Sequence, residues 1–180
     1  MGRLTLPPYS KVKSLDGTGN FAVKKYYLWP FSFIYRKKLK LITQLLERQN
    51  YYNILDFGCG DANIFYPELS KYAKFVKSVD RPENIDLRCK FDVVVCASVL
   101  EFVDLPVSVA RLKLVTPSNG IIVGASVMDT WLTRLYFKLI GDKRKRHTQK
   151  EIMAEINKRF FVVKYEEWFG IYFSFKGYPK

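Results

Sequence analysis

An α/β fold built on a mostly parallel central sheet is what this sequence predicts, and three observations carry the prediction. Short, nearly unbroken apolar runs at 53–57, 75–79, 91–97 and 121–126 alternate with stretches of helical periodicity, as expected for strands covered on both faces by crossover helices. The chain closes on two strand-like runs, 160–166 and 171–176, turned at Phe169-Gly170 and too close together for anything but an antiparallel pair. And 180 residues, 48% hydrophobic and 16% aromatic, supply one core but too little chain for two.

The elements follow in order. Residues 1–20, ending Leu15-Asp16-Gly17-Thr18-Gly19-Asn20, read as an irregular arm rich in turn chemistry. After an aromatic, basic patch at 26–35, Pro30 opens a helix. Its apolar positions Phe31, Ile34, Tyr35, Leu39, Ile42, Leu45 and Leu46 recur at three- and four-residue steps, with Arg36, Lys37, Lys40 and Glu47 between them, to an end near Gln49-Asn50. Residues 1–50 are thus an N-terminal arm and amphipathic cap helix, and 51–180 the core of what is a single domain overall. In the core, strand 53–57 precedes a helix at 64–74 with Phe65, Leu69, Tyr72 and Ala73 inward. Strands 75–79 and 91–97 follow, then a helix near 106–115 closed by Thr116-Pro117-Ser118-Asn119-Gly120, strand 121–126, helices 130–140 and 149–158, and the closing pair. Ile85-Asp86-Leu87 is the remnant of a shortened third-strand region.

Composition excludes several classes of function. The apolar fraction rules out a disordered chain. No apolar run is long enough to span a bilayer, and residues 1–10 lack a signal-peptide core. Three cysteines without paired spacing predict reduced thiols and a cytoplasmic setting. With one histidine they assemble no metal site. The net charge of +13 is uneven, a near-neutral middle between basic flanks. Such flanks suit nucleic acid, an anionic membrane, an acidic small molecule, or a merely solvated surface.

Chemistry concentrates in Asp56-Phe57-Gly58-Cys59-Gly60-Asp61-Ala62, at the end of the first strand. Side-chain-free Gly58 and Gly60 let a ligand approach the backbone, and the following helix would direct unpaired N–H groups at it. Twenty residues beyond Gly60, Asp80 ends the second strand with a carboxylate able to accept from both hydroxyls of a ribose. The nicotinamide fingerprint wants a third glycine where Asn63 stands, so that match fails.

These residues resemble the first motif of class I S-adenosylmethionine-dependent methyltransferases. The run Phe91–Val103 resembles the fourth-strand motif of the type 11 branch, and 112–123 its helix, turn and fifth strand. The resemblance covers roughly 51–180 and implies a Rossmann-like methyltransferase fold, a mostly parallel central sheet with one antiparallel C-terminal strand and helices on both faces. Departures are Ala62 for the third glycine and Phe102 for the usual histidine after Glu101.

The resemblance implies a donor site for S-adenosylmethionine, leaving S-adenosylhomocysteine, with no metal. Asp56 would hold the methionine ammonium, and Phe57, Gly58, Cys59 and Gly60 would line methionine and ribose. Asp80 would bind the ribose hydroxyls, Arg81 and Ile85 would flank adenine, and Ala97 with Ser98 would floor the sulfonium. Asp56 and Asp80 read otherwise as a loop-capping and a turn acid. Glu101, Asp129 and His147 are the weak candidates for a catalytic base; Glu101 equally suits a helix N-terminus, and His147 sits in the basic run 143–146. Met128, Trp131, Leu132, Leu135, Tyr136, Leu139 and Ile140 form an apolar stripe that suits a lid over the site or an interfacial anchor. The expected acceptor is small or lipid-like, with peripheral contact to an anionic membrane. RNA methylation, with aromatics and cations gripping the strand, and an inactive scaffold stand as alternatives.

Overall fold

The computed structural model describes residues 4–12, 23–29, 31–46, 50–60, 62–139 and 145–180. Outside them lie the arm sequence 15–20, Pro30, Glu47, Gln49, Asp61, Ile140 and the basic residues 143 and 144, together with the side chain of Leu139. Within the arm, where an irregular segment is expected, α1 (Tyr9–Val12) forms one helical turn and anchors through buried Val12.

Six strands make one sheet: β1 (Tyr51–Phe57), β2 (Ala73–Val79), β3 (Val93–Ala97), β4 (Ile121–Val127), β5 (Phe160–Trp168) and β6 (Tyr172–Pro179). Their spatial order is β2-β1-β3-β4-β6-β5. The first four are parallel, and β6 alone runs against its neighbours β4 and β5. The apolar runs are unbroken because alternate residues serve opposite faces. Val93 and Val95 join the core on one side, with Leu39, Ile42 and Leu45 of α2 (Phe31–Leu45). Val94 and Cys96 join the core on the other, with Val109 and Leu112 of α4 (Leu105–Val115) and Ile152 and Ile156 of α6 (Gln149–Arg159). Asp104 caps α4 by accepting from the Val107 N–H, and Thr148 with Glu151 forms a reciprocal capping box on α6.

Two expectations are corrected on one side of the sheet. Instead of a helix over 64–74, residues 62–65 turn and only α3 (Tyr66–Leu69) is helical. Asn63 takes a left-handed φ of 44°, Pro67 lies in the first turn, and Ala73 already pairs with Tyr51 in the ladder. The short helix starts past the glycine turn, so it does not aim its N–H groups at a ligand there. Nor is 85–87 a strand. Residues Pro82–Asn84 form a 3₁₀ turn, Ile85 plugs the core, and Asp86 accepts from the backbone and guanidinium of Arg88. Between Val79 and Val93 there is no length for a strand and its crossover. β2 is therefore an edge.

Candidate active site

The chain crosses from one side of β1 to the other between β2 and β3, and at that reversal the C-terminal ends of β1 to β4 open onto one cavity of about 700 Å³. Crevices at such switch points are where α/β sheets take ligands. Gly58 donates its N–H to Val79 O at 2.7 Å with φ of 81°, and a Cβ there would stand 2.2 Å from the Val99 side chain. No other residue fits. Gly60, also left-handed at φ 60°, donates its N–H to Asp80 Oδ1 at 3.0 Å. The glycine turn and the acid after β2 are thus one hydrogen-bonded unit, with Asp80 keeping lone pairs for a ligand. Asn63, accepting from Ser78 Oγ at 3.0 Å, adopts the backbone geometry a glycine would supply.

Asp56 is 1% exposed and lines this cavity, and its Oδ2 has no hydrogen-bond partner among the described residues. Burial pushes its carboxyl up to about 7. Ser98 is held at φ 56°, with its N–H on Ala125 O and its hydroxyl unpartnered among the described residues. A left-handed serine and two orphaned polar atoms at one cavity are the strain and unmet polarity that mark a ligand site. Cys59, Ala97 and the largely exposed Arg81 complete the expected wall. Phe57 and Ile85 do not. Phe57 is fully buried beneath the sheet, and Ile85 packs in the core rather than beside the cavity, because the chain after Asp80 turns inward.

Lys38, which the sequence reading passed over, enters the same cavity from α2. It is only 5% exposed, and its ammonium lies 5.3 Å and 5.5 Å from the rings of Tyr26 and Tyr35. Its position is the signal: three residues after Tyr35 and four before Ile42, it belongs to the buried stripe. The far wall comprises Ile34, Leu39, Leu132, Tyr136 and Phe137 among others, from α2 and α5 (Trp131–Leu139).

No family model matches the sequence, and no curated protein is similar to it. Solved structures are. The N-methyltransferase NodS of Bradyrhizobium japonicum WM9, in complex with S-adenosyl-L-homocysteine, superposes with a TM-score of 0.64 at 12% identity, over 95% of this chain and 97% of that one. The 1,6-didemethyltoxoflavin-N1-methyltransferase of Burkholderia thailandensis, with its namesake and S-adenosylhomocysteine bound, gives 0.65 at 13% identity, over 100% and 93%. A methyltransferase of Thermotoga maritima gives 0.65 at 16%, over 96% and 99%. The fold is that of the S-adenosylmethionine-dependent methyltransferases.

In this methyltransferase fold the three candidate bases do not line the large cavity but an adjoining smaller one of about 160 Å³, which shares Val127, Thr133 and Phe137 with it. Glu101 is buried, yet it follows β3 in a turn rather than at a helix N-terminus. Its carboxylate accepts from Ser126 Oγ at 3.1 Å and the Val127 N–H at 2.8 Å. Burial raises its pKa, against the Val127 N–H, the Lys38 charge and the Ser126 hydroxyl. Asp129 is clamped at 2.8 Å and 2.7 Å by Arg134, which holds its carboxyl below the usual range. His147 donates its backbone N–H to Glu101 O and its Nε2–H to Val103 O. The described residues contain no cluster able to hold a metal ion.

Proposed function

We propose that this chain transfers a methyl group from S-adenosylmethionine to a small, predominantly apolar acceptor. One observation carries the reading: a single cavity presents a buried, unpartnered Asp56, a buried Lys38 and an Asp80 fixed on the Gly60 N–H. That set complements a nucleoside bearing an amino-acid zwitterion. Asp56 would accept from the ammonium, Lys38 would face the carboxylate, and Asp80 would take the ribose hydroxyls. Gly58, Cys59, Gly60, Ala97 and Ser98 would line the methionine and ribose, and Arg81 the adenine.

The bound donor supplies a methyl group on a sulfonium, a leaving group already activated. The protein's part is to align the acceptor with that methyl group, and orientation alone can supply roughly 7–11 kcal/mol. Glu101, Asp129 and His147 are each committed to protein partners, so no side-chain base is part of this reading. The mostly apolar far wall supports an acceptor with an apolar, even lipid-like body, and two structural neighbours carry S-adenosylhomocysteine, one of them together with 1,6-didemethyltoxoflavin. We further propose a cytoplasmic setting with peripheral membrane contact. None of Cys59, Cys89 and Cys96 is in a disulfide, and no helix among the described residues is long and apolar enough to cross a membrane.

Calorimetry with S-adenosylhomocysteine tests the donor site. Binding is expected, weakened at least about tenfold by Asp80→Ala, which removes a charged acceptor from two hydroxyls. No heat from the unaltered chain, and none from the variant, would favour a scaffold that keeps the fold without the chemistry.

A further inference from the structure

We propose that the end of the sheet carrying the cavity mouth docks on an anionic lipid bilayer, through an aromatic patch formed by the start of α2, the outer face of α5 and the turn between β5 and β6. The inference deepens the reading of a lipid-like acceptor and rests on it for its purpose, whereas its evidence lies on the outer surface. Trp29 is 85% exposed, Phe169 82%, Trp131 75% and Phe33 65%. Soluble surfaces carry scattered apolar side chains, but contiguous large aromatics mark an interaction site.

Ring contacts join the elements that carry these residues, with Trp29 two residues before α2 and Trp131 first in α5. Phe31 of α2 meets Tyr136 of α5 at 6.4 Å between ring centroids. On the other side of α2, Phe33 meets Trp168 at 5.9 Å, and Trp168 meets Phe169 at 5.3 Å. Thr130, just before α5, donates its hydroxyl to Gly170 O at 2.7 Å, which fastens α5 to the same turn. All three tryptophans of the chain, Trp29, Trp131 and Trp168, belong to this one end. Amphipathic indole rings favour the boundary between water and lipid.

Charge selects the partner. Neither α2 nor α5 contains an acidic residue, whereas both carry cations. Lys37 lies over the Trp168 ring at 5.6 Å, and exposed Lys138 stands one turn beyond Leu135 on α5. Of the acids beside these elements, Asp129 is paired with Arg134 and Glu166 with Lys164, while Glu167 accepts from Tyr165 and Gln149. Apolar side chains beside Lys37 and Lys138, which have no ion-pair partner among the described residues, complement a negatively charged headgroup layer. The two helices are also two-sided. Ile34, Leu132 and Tyr136 line the cavity while Phe33, Trp131 and Leu135 face outward, so the docked mouth opens toward the acyl region.

Because every tryptophan reports from the patch, intrinsic fluorescence measured during vesicle flotation is the test. With phosphatidylcholine vesicles containing phosphatidylglycerol at low ionic strength, the chain is expected to float and its emission to shift to the blue. With phosphatidylcholine alone it is expected to remain largely unbound. The pair Trp29→Ala and Trp131→Ala should weaken partitioning at least about tenfold. Lys37→Gln and Lys138→Gln should each weaken it about fivefold. Lys77→Gln, on the edge strand, should match the unaltered chain. None of these side chains lines the cavity, so S-adenosylhomocysteine binding should persist in every variant. Failure to float on anionic vesicles overturns the inference, as do aromatic variants that float unchanged. So does a blue shift that grows with protein concentration without lipid, because a second copy would then cover the patch. Loss of S-adenosylhomocysteine binding by the unaltered chain sinks the donor-site reading instead.

Discussion

Asp56 is a carboxyl sealed in apolar surroundings with one oxygen unsatisfied among the described residues, and its pKa of about 7 makes both stability and binding depend on pH. In the unfolded chain it ionises near its ordinary 3.8. Between those values the folded state holds the extra proton, so folding stability falls as pH rises through the window, and the full cost is present above about 7. Asp56→Asn should therefore stabilise the chain against urea at pH 8, by up to a few kcal/mol, and leave it unchanged near pH 4. An ammonium ligand reverses the preference. S-adenosylhomocysteine affinity should rise with pH across the same window, and the asparagine variant should bind weakly with a flat profile. A stabilised variant with undiminished affinity would show that Asp56 is no ligand contact. The residues of this unit were legible in the sequence, because glycines and acids at strand ends have few other reasons to fall in that order. Lys38 was not. A lysine on an apolar helical stripe looks like a break in the pattern until its ammonium is seen among Tyr26, Tyr35 and the cavity. Ile85 failed for the converse reason, since only the path of the chain decides whether an apolar residue meets a ligand or the core.

Glu101 shows how an element can be held by the side chain that looked like a catalyst. Its carboxylate and carbonyl join the turn after β3 to the end of β4 and to the segment entering α6. Glu101→Ala should leave the Val127 N–H and Ser126 hydroxyl unsatisfied and cost about 2–4 kcal/mol in denaturant unfolding. Glu101→Gln keeps an acceptor and should fold with methyl transfer reduced only a few-fold. A complete loss of turnover in a folded glutamine variant would restore Glu101 as a base. At this scale, apolar runs and helical periodicity made the strands, α4 and α6 readable within about three residues. The stretches on either side of β2 were not: the turn before α3 comes from Asn63 and Pro67, and the shortening after Asp80 was visible but not that Ile85-Asp86-Leu87 forms no strand.

For the molecule as a whole, the mostly parallel sheet and its single reversed strand follow from connection length, which is why so spare a pattern predicted them, whereas the strand order came only with the structure. The surface was less accessible. A net charge of +13 permits many partners, and the proposal of an anionic bilayer rests on the exposed aromatic side chains at one end of the sheet. The effect of the shortened connection also appears at this scale. β2 is the outermost strand, and the Arg81 side chain, proposed to meet the adenine, is 72% exposed. A purine lodged there keeps one flank in water, so little apolar area holds the spent donor back. Stopped-flow release of S-adenosylhomocysteine should accordingly be fast, with product inhibition slight. On the proposed reading, a chain trimmed in this way would shed its by-product readily, and short residence would leave the crevice free for the next round.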